Sequence, residues 1–137
     1  MKDIRLFLEK IKRYFKDNPQ IIAVYLFGSY AANRQRPGSD VDIAVLFEFN
    51  LTQQKRFNLC LQYYADLSDE YELDIVDMNS ADYPLLYEIF NEGELVFERD
   101  REKRVAFQAL KLSEYSDLKY FEDLMSKGLM RRARNLV

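Results

Sequence analysis

Two short runs of almost unbroken apolar residues, 21–27 and 41–47, constrain this chain more than any other feature. Each is rich in β-branched and aromatic residues and too short for a buried helix, so each reads as a buried strand. The segment between them is polar. It opens on Gly28-Ser29, passes the turn signal Pro37-Gly38-Ser39, and re-enters the apolar pattern through Asp40-Val41-Asp42. Two strands joined in this way deliver a glycine turn and a carboxylate pair to one place.

Asp40 and Asp42 lie two apart at the start of a strand. Strand side chains alternate, so both point to one face, with Cα atoms about 6.5–7 Å apart, while Val41 points to the other. Two carboxylates so close repel, and a divalent cation relieves the repulsion. A third strand is expected over 72–77, with Asp74 between apolar Leu73 and Ile75. An adjacent strand would bring Asp74 beside the pair; alternatively it is an edge-strand charge. Asp77, three residues on, points to the opposite face and reads as a turn or cap residue. Gly28 permits close backbone approach to a phosphate, and Ser29 with the following N–H groups can donate to phosphate oxygens. Arg34 and Arg36 on the connecting loop are placed to reach the same phosphates. Alone, Asp-x-Asp or Gly-Ser is uninformative; the strand–turn–strand context and the third acidic strand carry the functional reading.

The remaining elements frame this unit. Residues 3–16 place Ile4, Phe7, Leu8, Ile11, Tyr14 and Phe15 at helical spacing. Residues 51–68 place Phe57, Cys60, Leu61, Tyr64 and Leu67 on one helical face, expected to be the core face. Ser80 is the expected N-cap of a helix over about 81–91, with Pro84 in its first turn and Gly93 past its end. A short turn of helix is expected over 30–33, and Leu95 to Phe97 adds a strand. Asp100 caps a long helix to about 126, beyond which Lys127 to Arg134 is expected to fray. Leu118, Phe121, Leu124 and Met125 on that helix fit either core packing, which the amphipathic spacing favours, or a dock for a partner. The basic tail reads as a solvated helix end or as a contact for an acidic partner. The order helix, strand, strand, helix, strand, helix, strand, helix describes one α/β (α+β) domain over residues 1–137, with a mixed central sheet flanked by helices and a long C-terminal helix.

Composition narrows the chemistry. The 137 residues contain no histidine and one cysteine, Cys60. That excludes a histidine general base and an intrachain disulfide, and makes any metal a hard, oxygen-bound one such as magnesium or manganese. With a net charge of −3, stable nucleic-acid binding is not expected. The absence of a signal segment or long apolar run points to the cytoplasm and away from a membrane.

Gly28-Ser29, ten intervening residues, Asp40-x-Asp42 and a later Asp74 resemble the signature of the polymerase-β-type nucleotidyltransferase superfamily. The short chain and Phe27-Gly28-Ser29-Tyr30-Ala31 are similar to its minimal branch, the MNT-domain proteins. The resemblance implies a nucleotidyltransferase-type fold and two Mg2+ ions on Asp40, Asp42 and Asp74, with Mn2+ as an alternative. It also implies Gly28 and Ser29 on the triphosphate of ATP. MNT proteins are paired as antitoxins with HEPN-type toxins, and some transfer AMP to a toxin tyrosine; the resemblance extends that expectation to this chain. The competing expectations are an antitoxin that only masks its partner, and a transferase for a small molecule or an RNA end.

Overall fold

The computed structural model describes residues 4–31, 33 and 38–135. The elements are α1 (Ile4–Lys16), β1 (Ile21–Phe27), β2 (Val41–Phe47), α2 (Gln53–Leu67), β3 (Leu73–Asp77), α3 (Tyr83–Glu92), β4 (Glu94–Glu98) and α4 (Arg101–Asn135). A 3-10 turn, Met78–Ser80, links β3 to α3. The strands form one mixed sheet in the order β3-β2-β1-β4. β1 is antiparallel to β2 and to β4, whereas β2 and β3 run parallel.

Strand alternation divides the core between the two faces of the sheet. Val24 and Leu26 of β1 and Ile43 and Val45 of β2 pack with Phe7, Ile11 and Phe15 of α1 and with Leu59 and Tyr63 of α2. Tyr25, Phe27, Ala44 and Leu46 face the other way, against Leu86 and Ile89 of α3 and Phe107 of α4. Both central strands are covered on both faces, which explains why their sequence is apolar throughout.

Two polar devices lock β3 to its neighbours. The Asn79 amide accepts from Phe47 N–H (2.9 Å) and donates to Phe47 C=O (3.0 Å), extending the β2–β3 pairing past the end of β3. Arg56 of α2 donates through Nε to Asp77 Oδ2 (2.8 Å), and its other nitrogens reach Leu51 C=O and Ser80 Oγ. Asp77 also caps the 3-10 turn, the role its sequence position suggested.

Three local expectations are corrected. Ser80 does not cap α3: its hydroxyl bonds Asp77, and Asp82 caps the helix by accepting from Leu85 N–H. The short helical turn expected over 30–33 is present as a single hydrogen-bonded turn, in which Asn33 N–H donates to Tyr30 C=O (3.3 Å). The core face of α2 is Leu59, Tyr63 and Leu67; Phe57, Leu61 and Tyr64 point outward. Both stripes have helical spacing, and the choice falls to tertiary contacts. Tyr63 inserts its ring edge-on to Phe15 at 5.0 Å while Arg56 reaches Asp77. Finally, α4 runs to Asn135, and Leu118, Phe121, Leu124 and Met125 are exposed rather than packed. The reason is length: a 35-residue helix spans about 52 Å, whereas the seven-residue central strands span about 23 Å, so the end of α4 outruns the sheet.

Phe47 is fully buried, so removal of its side-chain partner leaves an N–H unsatisfied. Asn79→Ala is therefore expected to destabilise the fold by about 1–3 kcal/mol, read as a lower urea midpoint at unchanged slope.

Candidate active site

The sheet register builds the site as one cross-strand row. Phe27 pairs with Asp42, and Asp42 pairs with Asp74. Paired residues share a face, so Asp42 and Asp74 point to the α3 side, next to Phe27. Gly28 follows Phe27 directly, and Asp40 precedes β2 by one residue. The end of β1 and the starts of β2 and β3 thus meet at one edge of the fold.

Gly28 is required twice. Its φ of +73° lies in the left-handed region, where a side chain is strained. A Cβ at this position would also collide with Asp42 Oδ2 and stand 3.0 Å from Asp42 Cγ. The backbone of the turn therefore lies directly against the Asp42 carboxylate. Ser29 follows, half-buried, at the same edge. Tyr30 is half-buried and packs edge-on to Tyr71 at 6.1 Å, against the hydrophobic core.

Asp42 is half-buried, while Asp40 and Asp74 are exposed. Burial raises the Asp42 carboxyl above its ordinary range, and the nearby charges of Asp74, Asp40 and Glu88 push it the same way. Glu88 is a fourth acidic contributor that the sequence reading did not anticipate. No spacing rule links residue 88 to residue 42; α3 brings Glu88 over by packing Leu86 and Ile89 on the sheet. Among the described residues, no three side chains of metal-ligating type are gathered closely enough to grip an ion. What the site offers is a concentration of carboxylate charge beside a tight glycine turn. Arg34 and Arg36 lie outside the described residues.

The family model for polymerase β nucleotidyltransferases matches residues 9–102, and the chain belongs to that family. Over 85 residues it is 35% identical to the protein adenylyltransferase MntA of Shewanella oneidensis, covering 61% of this chain and 60% of that protein. In three dimensions it is similar to a chain of a toxin–antitoxin crystal structure solved with AMP-PNP. The TM-score is 0.69 at 28% identity, covering 90% of this chain and 98% of the other. It is also similar to a chain in the complex of tri-AMPylated Shewanella oneidensis HEPN toxin with MNT antitoxin. There the TM-score is 0.65 at 27% identity, with 92% and 98% covered. The resemblance read from the sequence and the mixed sheet with its long C-terminal helix both agree with these findings. No helix among the described residues is long and apolar enough to cross a membrane.

Two outcomes follow for the folded protein. Gly28→Ala is expected to cost about 1–3 kcal/mol of stability, measured by urea unfolding, because it combines a strained φ with displacement of the Asp42 carboxylate. Asp42→Asn is expected to raise the thermal midpoint at neutral pH without divalent cations. A carboxyl whose pKa is raised by folding favours the folded state when protonated and opposes it when ionised. The gain should therefore shrink as pH falls through the raised Asp42 pKa toward the ordinary carboxylate range, where the carboxyl is protonated in the folded state as well.

Proposed function

We propose that this chain transfers AMP from ATP to a tyrosine hydroxyl of a partner HEPN-type toxin and thereby acts as its antitoxin in the cytoplasm. The observation that carries the reading is the row Gly28–Asp42–Asp74, with Asp40 beside it. The names of its relatives support the same reading: an adenylyltransferase, a toxin–antitoxin solved with AMP-PNP, and an AMPylated toxin with its antitoxin.

In the chemistry of its donors, though not in their spacing, the set suits a hard divalent cation. Every candidate ligand is a carboxylate oxygen, and the repulsion felt by Asp42 is what such an ion would relieve. Asp40, Asp42 and Asp74 would hold Mg2+, in a pair of ions, with Mn2+ as a substitute. Bound there, the metal would supply charge neutralisation for the triphosphate and acidify the acceptor hydroxyl.

The chain's own groups perform the rest. The Gly28-Ser29 turn holds the triphosphate through its N–H groups and the Ser29 hydroxyl. Arg34 and Arg36 are proposed to reach the same phosphates. The acceptor oxygen attacks the α-phosphorus in line, and a new P–O bond forms as the bond to the β-phosphate oxygen breaks. Pyrophosphate leaves with that electron pair, and the phenolic proton passes to Asp74, which stands exposed at the rim. With no histidine in the chain, a carboxylate is the available base.

A second reading, silencing by docking alone, is favoured by the exposed stripe Leu118, Phe121, Met125 and Leu129. This stripe continues the face of α4 that buries Phe107.

Incubation of the chain and its toxin with Mg2+ and α-labelled ATP is expected to label the toxin. Asp42→Asn and Asp74→Asn should each reduce labelling at least about a hundredfold while the complex still forms. EDTA should abolish labelling in the wild type. Toxin neutralised equally well by an unlabelling Asp42→Asn protein would establish the docking reading instead.

A further inference from the structure

A groove of about 450 Å³ lies between α2 and the free edge of β3, with Phe57, Leu61, Tyr64 and Ile75 in its walls and Asp74 at its margin. The sequence placed Phe57, Leu61 and Tyr64 in the core, yet they are 58%, 55% and 43% exposed. They form a second apolar stripe on α2 that no element of the described structure covers. Because β3 is an edge strand, half of its main-chain N–H and C=O groups also face this side without a strand partner.

We infer that this groove seats the segment of the toxin that flanks the acceptor tyrosine. The inference deepens the transferase reading and rests on it. Three observations select this occupant. Asp74 belongs both to the groove lining and to the carboxylate row, so a chain lying in the groove runs beside the residue proposed to accept the phenolic proton. The triphosphate turn lies on the other side of Asp42, at the end of β1, so the groove does not overlap the proposed nucleotide position. The rim charge also has one sign. Asp74 lines the groove and is exposed, and Glu72 beside it accepts from the Tyr64 hydroxyl of the groove wall. No described lining residue is a cation, and Arg56 of α2 is engaged by Asp77 and Ser80. The segment that fits therefore carries apolar side chains beside its tyrosine, for the stripe on α2, and a basic residue for the rim.

Steady-state transfer of α-labelled AMP to the HEPN-type toxin produced with this chain tests the assignment. The variants are Phe57→Gln and Leu61→Gln, with Leu61→Met as the conservative partner and Leu6→Gln as a remote control. Leu6, Phe57 and Leu61 are all exposed, so these changes leave the core intact, and unchanged thermal midpoints verify it. The glutamine variants should raise KM for the toxin about tenfold, with kcat at saturating toxin and ATP affinity by calorimetry unchanged. Leu61→Met and Leu6→Gln should behave as wild type. An unchanged KM for the toxin overturns the assignment and leaves the transferase reading standing. Loss of ATP affinity in the glutamine variants also overturns it, because the groove would then serve the nucleotide. If wild-type protein binds ATP but labels no toxin, the transferase reading falls and this inference falls with it.

Discussion

The contact between the Gly28 backbone and the Asp42 carboxylate is the constraint on which the site depends. It requires a residue without Cβ, in a left-handed conformation, at the exit of β1. It also requires an aspartate opposite Phe27, at the entrance of β2. With both met, the turn that would hold phosphate and the carboxylates that would hold metal are held together by main-chain geometry rather than by flexible side chains. The carboxylate charge that results is unfavourable in isolation: burial and three acidic neighbours all push Asp42 toward its protonated form. The fold tolerates this because the central strands are buried on both faces and because β3 is fastened by Asn79 and by the Arg56–Asp77 pair. Stability generated away from the site supports an arrangement that opposes it locally.

The two faces of the sheet have separate roles. On one face, α3 and α4 cover the sheet, and α3 brings the charge of Glu88 to the carboxylate row. On the other, α1 and α2 supply most of the aromatic packing around Phe15, Phe47 and Tyr63. The parallel pairing of β3 beside β2 connects these roles, because it puts Asp74 in the row and leaves the other side of the same strand open. The chemistry proposed for one face and the recognition inferred for the adjoining edge would both follow from one strand's position. The part of α4 that outruns the sheet offers a further apolar surface in the same small chain.

Some features of the sequence were decisive because the physics behind them is local. The apolar runs could only be buried strands, and their bounds were read as they stand in the structure. Glycine at the strand exit and aspartates spaced by two at the next entrance follow from left-handed φ and strand alternation, which neighbouring residues settle among themselves. The terminus of α3 at Gly93 was legible for the same reason, although its cap was assigned to Ser80 instead of Asp82. Other features were decided by residues far apart in sequence. The register that sets Asp74 opposite Asp42, the approach of Glu88, and the choice between two apolar stripes on α2 all depend on how elements pack across the sheet. So does the exposure of Leu118 to Met125, where a helix longer than the sheet leaves its apolar face uncovered. By itself the sequence determined the strands, the turn and the paired aspartates, because steric and alternation rules act within a few residues. Only the tertiary structure decided which carboxylates meet and which apolar surfaces stay open, because pairing and burial are properties of distant segments brought together.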